Sequence, residues 1–153
     1  MKKQKVTLLC GLPGSGKSTW LKKNAKNSVI ISPDLIRRDM LGHQFHRPAE
    51  PLIWWLTESM AHLILAQGKS VAIDATSIFS FVRRKWGTIA DQYDAAKELI
   101  WLDVPEEVCW KRNLKRGKKK QVPRSAFDRM SRAFQAPDKD ECEADGFKLR
   151  RIK

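Results

Sequence analysis

Eight consecutive residues constrain this chain more than any others: Gly11-Leu12-Pro13-Gly14-Ser15-Gly16-Lys17-Ser18, with Thr19 next. They fill every required position of the pattern G-x-x-x-x-G-K-[ST]. Before them, Val6-Thr7-Leu8-Leu9-Cys10 is a short apolar run that reads as a buried strand. After them, Thr19 to Lys26 holds neither Gly nor Pro and suits a helix. Strand, glycine loop and helix are the context in which the pattern has a physical meaning. Glycine backbones can curl until successive N–H groups point inward at phosphate oxygens, and the positive end of the helix dipole adds to that field. The pattern assigns Lys17 to the β- and γ-phosphates of a nucleoside triphosphate and Ser18 to Mg²⁺. A chance glycine turn is the plainer competitor, and the flanking elements argue against it.

The rest of the chain continues the alternation. Ser28-Val29-Ile30-Ile31-Ser32 is β-branched and reads as a second buried strand. Ser32-Pro33-Asp34 then opens a helix through Leu35, Ile36, Arg37, Arg38 and Met40, closed by Gly42. Asp34 thus stands at the carboxyl end of a strand, where open α/β sheets bind ligands, with Arg37 one turn further on the same face. Asp after Pro is also a common helix N-cap, and capping and catalysis are compatible there. Ser70-Val71-Ala72-Ile73-Asp74 reads as the third strand, and a carboxylate after an apolar strand suits the Mg²⁺ shell of a phosphate loop. Asp74-Ala75-Thr76-Ser77 leads into a helix from Ser80 to Asp94, and Glu98 to Val104 forms the fourth strand. A helix from Glu106 to Arg116 follows; later, the acidic span from Asp138 to Asp145 reads as an exposed turn. Phe147 to Ile152 alternates apolar and basic residues as a last strand. Five strands separated by helices predict an α/β chain with a largely parallel sheet.

Two other segments carry chemical signals. Pro51 to Gln67 forms a long helix with Leu52, Trp54, Trp55, Leu56, Met60, Leu63 and Ile64 on overlapping apolar faces. Trp55 at least is expected in the core, with nucleobase stacking as the competing use. Between Lys111 and Arg132 ten basic residues face a single acid, Asp128, and Gly117 and Pro123 bracket the middle. That stretch reads as a lid over the triphosphate, against the plainer reading of a solvated basic face. His43 and His46 lack a third ligand nearby and do not make a metal site.

Composition narrows the partners. The 153 residues hold 30 Lys and Arg against 17 Asp and Glu, a net charge of +13 that points to a polyanionic partner or, more plainly, to a basic surface. Hydrophobic residues make up 42%, enough for a proper core in one domain. Cys10, Cys109 and Cys142 are scattered without a C-x-x-C pair and read as reduced thiols. The basic start at Met1 to Lys5 has the outline of a secretion signal, but its apolar stretch is too short. No run approaches a membrane span, so the expected location is the cytoplasm, with no membrane and no obligatory protein partner.

The absence of N-K-x-D weakens a GTPase. The third strand ends Asp74-Ala75, without the adjacent Glu by which motor-type ATPases activate water. What remains is a compact kinase. Gly11 to Trp20, Asp34-Leu35-Ile36-Arg37, Asp74-Ala75-Thr76, Lys111-Arg112-Asn113-Leu114-Lys115-Arg116-Gly117 and Val122-Pro123 together resemble the polynucleotide 5′-hydroxyl kinases in order and spacing. The likeness is to the kinase domain of the phage polynucleotide kinase–phosphatase and its bacterial relatives, and it covers nearly the whole chain.

That resemblance implies a P-loop kinase-like three-layer sandwich over residues 1–153. Its five-stranded, mostly parallel sheet would run in the order 2-3-1-4-5, with a helical lid at about residues 112–124. It implies ATP and Mg²⁺ as cofactors and a 5′-hydroxyl end of DNA or RNA as acceptor. By resemblance, Asp34 is the general base and Arg37 holds the adjacent 3′-phosphate. Asp74 and Thr76 serve the acceptor or the metal shell; Arg116, supported by Arg112, is the lid arginine on the triphosphate. Ser77, where relatives often have Asn, and Pro33 before Asp34 depart from the pattern. Two alternatives stay open: a small-molecule kinase acting on a nucleoside or, like the zeta toxins, a sugar nucleotide, and a non-catalytic nucleotide-dependent nucleic-acid-binding module.

Overall fold

The structure is a computed structural model that describes residues 3–42 and 45–153. His43, one of the two histidines noted above, lies outside the described residues. In chain order the elements are β1 (Lys5–Cys10), α1 (Lys17–Asn24), β2 (Ser28–Ile31), α2 (Pro33–Leu41), α3 (Glu50–Ala66) and β3 (Ser70–Ile73). Then come α4 (Ser80–Asp91), β4 (Ala96–Leu102), α5 (Glu106–Leu114), α6 (Arg124–Ala133), α7 (Lys139–Ala144) and β5 (Phe147–Ile152). The strands form one sheet in the order β2-β3-β1-β4-β5, parallel at every pairing. This is the expected order.

Parallel strands covered on both faces are apolar nearly throughout, and β1 shows why. Val6, Leu8 and Cys10 point to one side, where Ala61 and Leu65 of α3 and Trp86 and Ile89 of α4 meet them. Leu9 points to the other side, joined by Ala72, Ile100 and Leu21 of α1. Register levels the strand ends: Leu8 lies opposite both Ile73 and Leu99, and Ile31 lies opposite Ile73. The loops that follow β2, β3 and β1 therefore leave from one edge, in that spatial order.

Several expectations change. The second strand is not buried: β2 is at the sheet edge, and Val29 and Ile30 are each 40% exposed. The fourth strand begins and ends two residues earlier than expected, at Ala96–Leu102. The helix begun at Ser80 stops at Asp91 rather than Asp94, because the chain turns back through Tyr93 N–H to Ala90 O and Asp94 takes a φ of 48°. The acidic span is no exposed turn but the short helix α7. The Asp138 carboxylate accepts from Glu141 N–H at 2.9 Å to cap it, and Cys142 is buried in the core. Trp55 is not in the core: it is 61% exposed. The stripe of α3 that meets the sheet is Ile53, Thr57, Ala61 and Leu65, whose small central members let the helix approach closely. The Thr57 hydroxyl is satisfied within the helix, donating to Ile53 O at 2.7 Å. Because the apolar residues of α3 fall on more than one face, periodicity alone does not select the inward one.

Candidate active site

The phosphate loop leaves β1 at Cys10, and α1 begins at Lys17. Gly14 has a φ of 87°, and a Cβ placed there would come within 2.3 Å of the Cys109 carbonyl oxygen. Only glycine fits between the loop and α5. Gly11 N–H donates to Thr76 O at 3.1 Å, which ties the loop to the segment after β3. Lys17 is buried, and its Nζ donates to Gly11 O and Leu12 O, each at 2.9 Å, and to Ser15 Oγ at 3.4 Å. Burial pulls its pKa from 10.5 down to about 8; Arg116 lowers it too, and Asp74 works the other way. The ammonium is thus folded back on its own loop, held by groups that a triphosphate could replace.

The Ser18 hydroxyl donates to Asp74 Oδ2 at 2.8 Å, so two residues 56 apart in sequence form one oxygen-donor pair. A hydroxyl and a single carboxylate fit Mg²⁺, which keeps several waters and takes phosphate oxygens for the rest of its shell. Gly14, Gly16, Thr19, Trp20, Lys23, Asn24, Leu102, Arg112 and Arg116 line an adjoining cavity of about 480 Å³. Both lid arginines named from sequence therefore stand on the wall that begins at the phosphate loop.

The basic span itself is tied down. Asn113 is fully buried; its Nδ2 donates to Val122 O at 2.9 Å, and its Oδ1 accepts from Val122 N–H at 3.0 Å. Gln121 Nε2 donates to Leu114 O at 2.9 Å and to Arg116 O at 2.7 Å. Beneath, Phe127 of α6 is buried against Trp110 of α5, ring centroids 5.1 Å apart. The loop carrying Arg116 and Lys118–Lys120 thus rises from a closed base. Arg83, by contrast, is a buried strut: its guanidinium donates to Ser77 O at 2.9 Å and to Gln135 O at 3.0 Å.

On the β2 side, Ser32 rather than Asp34 is the cap of α2, accepting from Leu35 N–H at a long 3.4 Å. The Asp34 side chain is left 88% exposed, gripped only by Arg37, whose Nη1 donates to Asp34 Oδ1 at 2.7 Å. The other side of the guanidinium fork is filled by Glu50: Nε and Nη2 donate to its two carboxylate oxygens at 2.6 Å each. Burial disfavours the Arg37 charge, but Glu50 and then Asp34 more than compensate and raise its pKa. Sequence reading missed Glu50. It is an acid in the first turn of α3, thirteen residues from Arg37, and no motif links the two.

Sheet order places the segment carrying Asp74 between the phosphate loop and the segment carrying Asp34. Neighbouring parallel strands lie about 4.8 Å apart, so the end of β2 is roughly 10 Å from the end of β1. A loop that can cradle a triphosphate, a metal-suited oxygen pair and an exposed carboxylate share one edge of a parallel sheet. That arrangement, with this strand order, is a P-loop kinase fold. The chain belongs to the family AAA_33, described as AAA domain, whose model matches residues 6–137.

Individual relatives carry different descriptions. The chain is 31% identical over 142 residues to an L-seryl-tRNA(Sec) kinase of Methanococcus maripaludis, covering 86% of this chain and 53% of that protein. A chain in the structure of the Pnkp1/Rnl/Hen1 RNA repair complex superposes with a TM-score of 0.76 at 27% identity, over 87% of this chain and 44% of that one. A gluconokinase from Sinorhizobium meliloti 1021 superposes at 0.64 and 17% identity, over 99% of this chain and 85% of that one, a likeness of fold alone. The chain spans about half the length of the curated relative.

Proposed function

We propose that the protein transfers the γ-phosphate of ATP to a hydroxyl carried by a nucleic acid, and that the acceptor is a 5′-hydroxyl end of DNA or RNA. The observation that carries this reading is the exposed Asp34 carboxylate, held by Arg37 on the edge shared with the phosphate loop. The Arg37 guanidinium fixes where that carboxylate stands, as a proton acceptor must be fixed. The net charge of +13 supports a polyanionic acceptor, and two relatives named above act in RNA settings by their descriptions.

In this reading the loop N–H groups from Gly11 to Thr19 and the Lys17 ammonium hold the triphosphate, Lys17 exchanging its carbonyl partners for phosphate oxygens. Ser18 and Asp74 would hold Mg²⁺, which would neutralise charge on the phosphate oxygens. Asp34 takes the proton of the acceptor hydroxyl as its oxygen bonds to the γ-phosphorus and the bond to the β-phosphate oxygen breaks, releasing ADP. Thr76 steadies the loop through its carbonyl. Arg116, with Arg112 beside it, closes on the transferring phosphoryl group from the cavity wall. Arg37 orients Asp34 and offers its remaining N–H groups to the acceptor phosphate.

The test offers γ-labelled ATP and Mg²⁺ with 5′-hydroxyl DNA, 5′-hydroxyl RNA, seryl-tRNA or a free nucleoside. Label is expected on the 5′ ends, and Asp34→Ala should lose transfer by at least about 10²-fold while still binding ATP. The 31% relative favours a second reading, in which the hydroxyl belongs to an aminoacyl group on tRNA. Label on seryl-tRNA alone would establish it. Label on the nucleoside alone would sink both readings in favour of a small-molecule kinase, and no transfer to any acceptor would favour the non-catalytic module.

A further inference from the structure

The outward face of α3 is largely exposed and holds no Lys, Arg, Asp or Glu. Roughly opposite the buried stripe Ile53, Thr57, Ala61 and Leu65 stand Leu52, Trp55, Ser59 and Leu63, with Met60 on one flank and the half-buried His62, whose Nδ1 lies 2.9 Å from the Tyr93 hydroxyl, on the other. Leu52 is 47% exposed, Trp55 61%, Met60 41% and Leu63 64%. Large apolar side chains on a helix normally face inward, yet these stand on its solvent side. The four side chains together present on the order of 400 Å² of apolar area, the size at which a patch on a monomer is usually functional.

Charge on the chain is segregated around this face. Residues 28–67 hold three Lys or Arg and four Asp or Glu, whereas the rest of the sequence holds 27 and 13. The outward face offers no cation to follow a phosphate backbone, which argues against nucleobases stacking on Trp55. For the chain to meet another copy of itself, most of its surface is disfavoured by like-charge repulsion; the region around α3 is the exception. We propose that this face is the interface of a homodimer, in which a second copy seats its own α3 against it about a two-fold axis.

Such an isologous contact is the commonest form of self-association. An uncharged apolar surface meets itself without electrostatic cost, and Trp55 supplies the aromatic anchor typical of interface centres. A stable interface takes about 800 Å² from each partner; the outward face of α3 provides roughly half, which places the contact at the weak, concentration-dependent end. The contact would also brace the site, because α3 begins at Glu50, the residue that grips Arg37. The proposal does not depend on which acceptor the protein uses.

Sedimentation velocity on the full chain, nuclease-treated and taken up to about 100 μM, tests it. The expected result is a concentration-dependent dimer that persists when salt is raised, since no ion pair holds it. Trp55→Glu and Leu63→Glu, both at exposed positions, should each weaken it roughly 30-fold or more, with the helical circular-dichroism signal and ATP binding kept. A chain that stays monomeric across the series overturns the proposal and leaves the face to a different protein. A dimer that dissolves in nuclease or salt, or that both variants leave intact, overturns it equally.

Discussion

Lys17 is held by the carbonyls of Gly11 and Leu12, a few residues away in its own loop, and is buried. Asp34 is exposed and is held by Arg37, which Glu50 holds in turn from another helix. The proposed donor side of the site is therefore a local, backbone-built object, and the proposed acceptor side is a relay of charges spanning α2 and α3. A local cradle keeps its geometry whatever packs around it. A relay can be retuned by changing one member, so the acceptor side is where a P-loop kinase fold can vary its substrate.

The sharpest way to break this contrast is at Lys17. Lys17→Met should cut phosphoryl transfer by roughly 10³-fold with every acceptor, because the missing charge acts on the donor. Transfer surviving within tenfold would mean that Arg112 and Arg116 carry the triphosphate instead. A second test moves to the base of the lid. Asn113→Ala leaves the half-buried Val122 N–H and C=O without their partner, at a cost of about 2 kcal/mol. For a chain of this size that lowers the melting temperature by roughly 4–8 °C. An unshifted melting curve would show the lid base to be separable from the fold.

The same contrast explains what could be read in advance. The loop, its strand and its helix were legible because their geometry is written into contiguous residues: glycines where φ is positive, a lysine and a serine at fixed offsets. Asp34 and Asp74 were legible because each follows an apolar strand, and register in a parallel sheet sends both to one edge. Glu50 was not legible, since its contact with Arg37 depends on how α2 packs against α3. The inward face of α3 failed for a related reason: both its faces are apolar, and the choice was made by the small residues Thr57 and Ala61 against the sheet. The acidic span hid its helix behind charge, with only Asp138 as a cap and Cys142 as an inward residue to betray it.

Glu50→Gln sharpens the acceptor half. Losing the bidentate carboxylate frees Arg37, whose fork then leans on Asp34 or on an acceptor phosphate. Transfer should fall about tenfold, the loss appearing in kcat as Asp34 loses its orientation, while ATP binding stays unchanged. A variant that instead binds acceptor more tightly at unchanged kcat would make Glu50 a competitor for Arg37 rather than its support.

The smallest effect is a fraction of a proton, and it tests the donor half without a mutation in hand. Lys17 titrates at about 8 in the folded chain against 10.5 in an ordinary lysine, so between those values the unfolded chain binds more protons than the folded one. Stability of the nucleotide-free protein should therefore rise with pH through that window. Nucleotide affinity should move in the opposite direction, because the triphosphate prefers the charged ammonium. At about pH 9 binding of ATP must drag a proton onto Lys17, whereas at about pH 7 the proton is already there. Calorimetry in two buffers of different ionisation enthalpy reads that uptake directly. Uptake that is present at the higher pH, absent at the lower and abolished in Lys17→Met would show that the ammonium turns from its loop carbonyls to the phosphates. Equal uptake at both pH values would place the titrating group elsewhere.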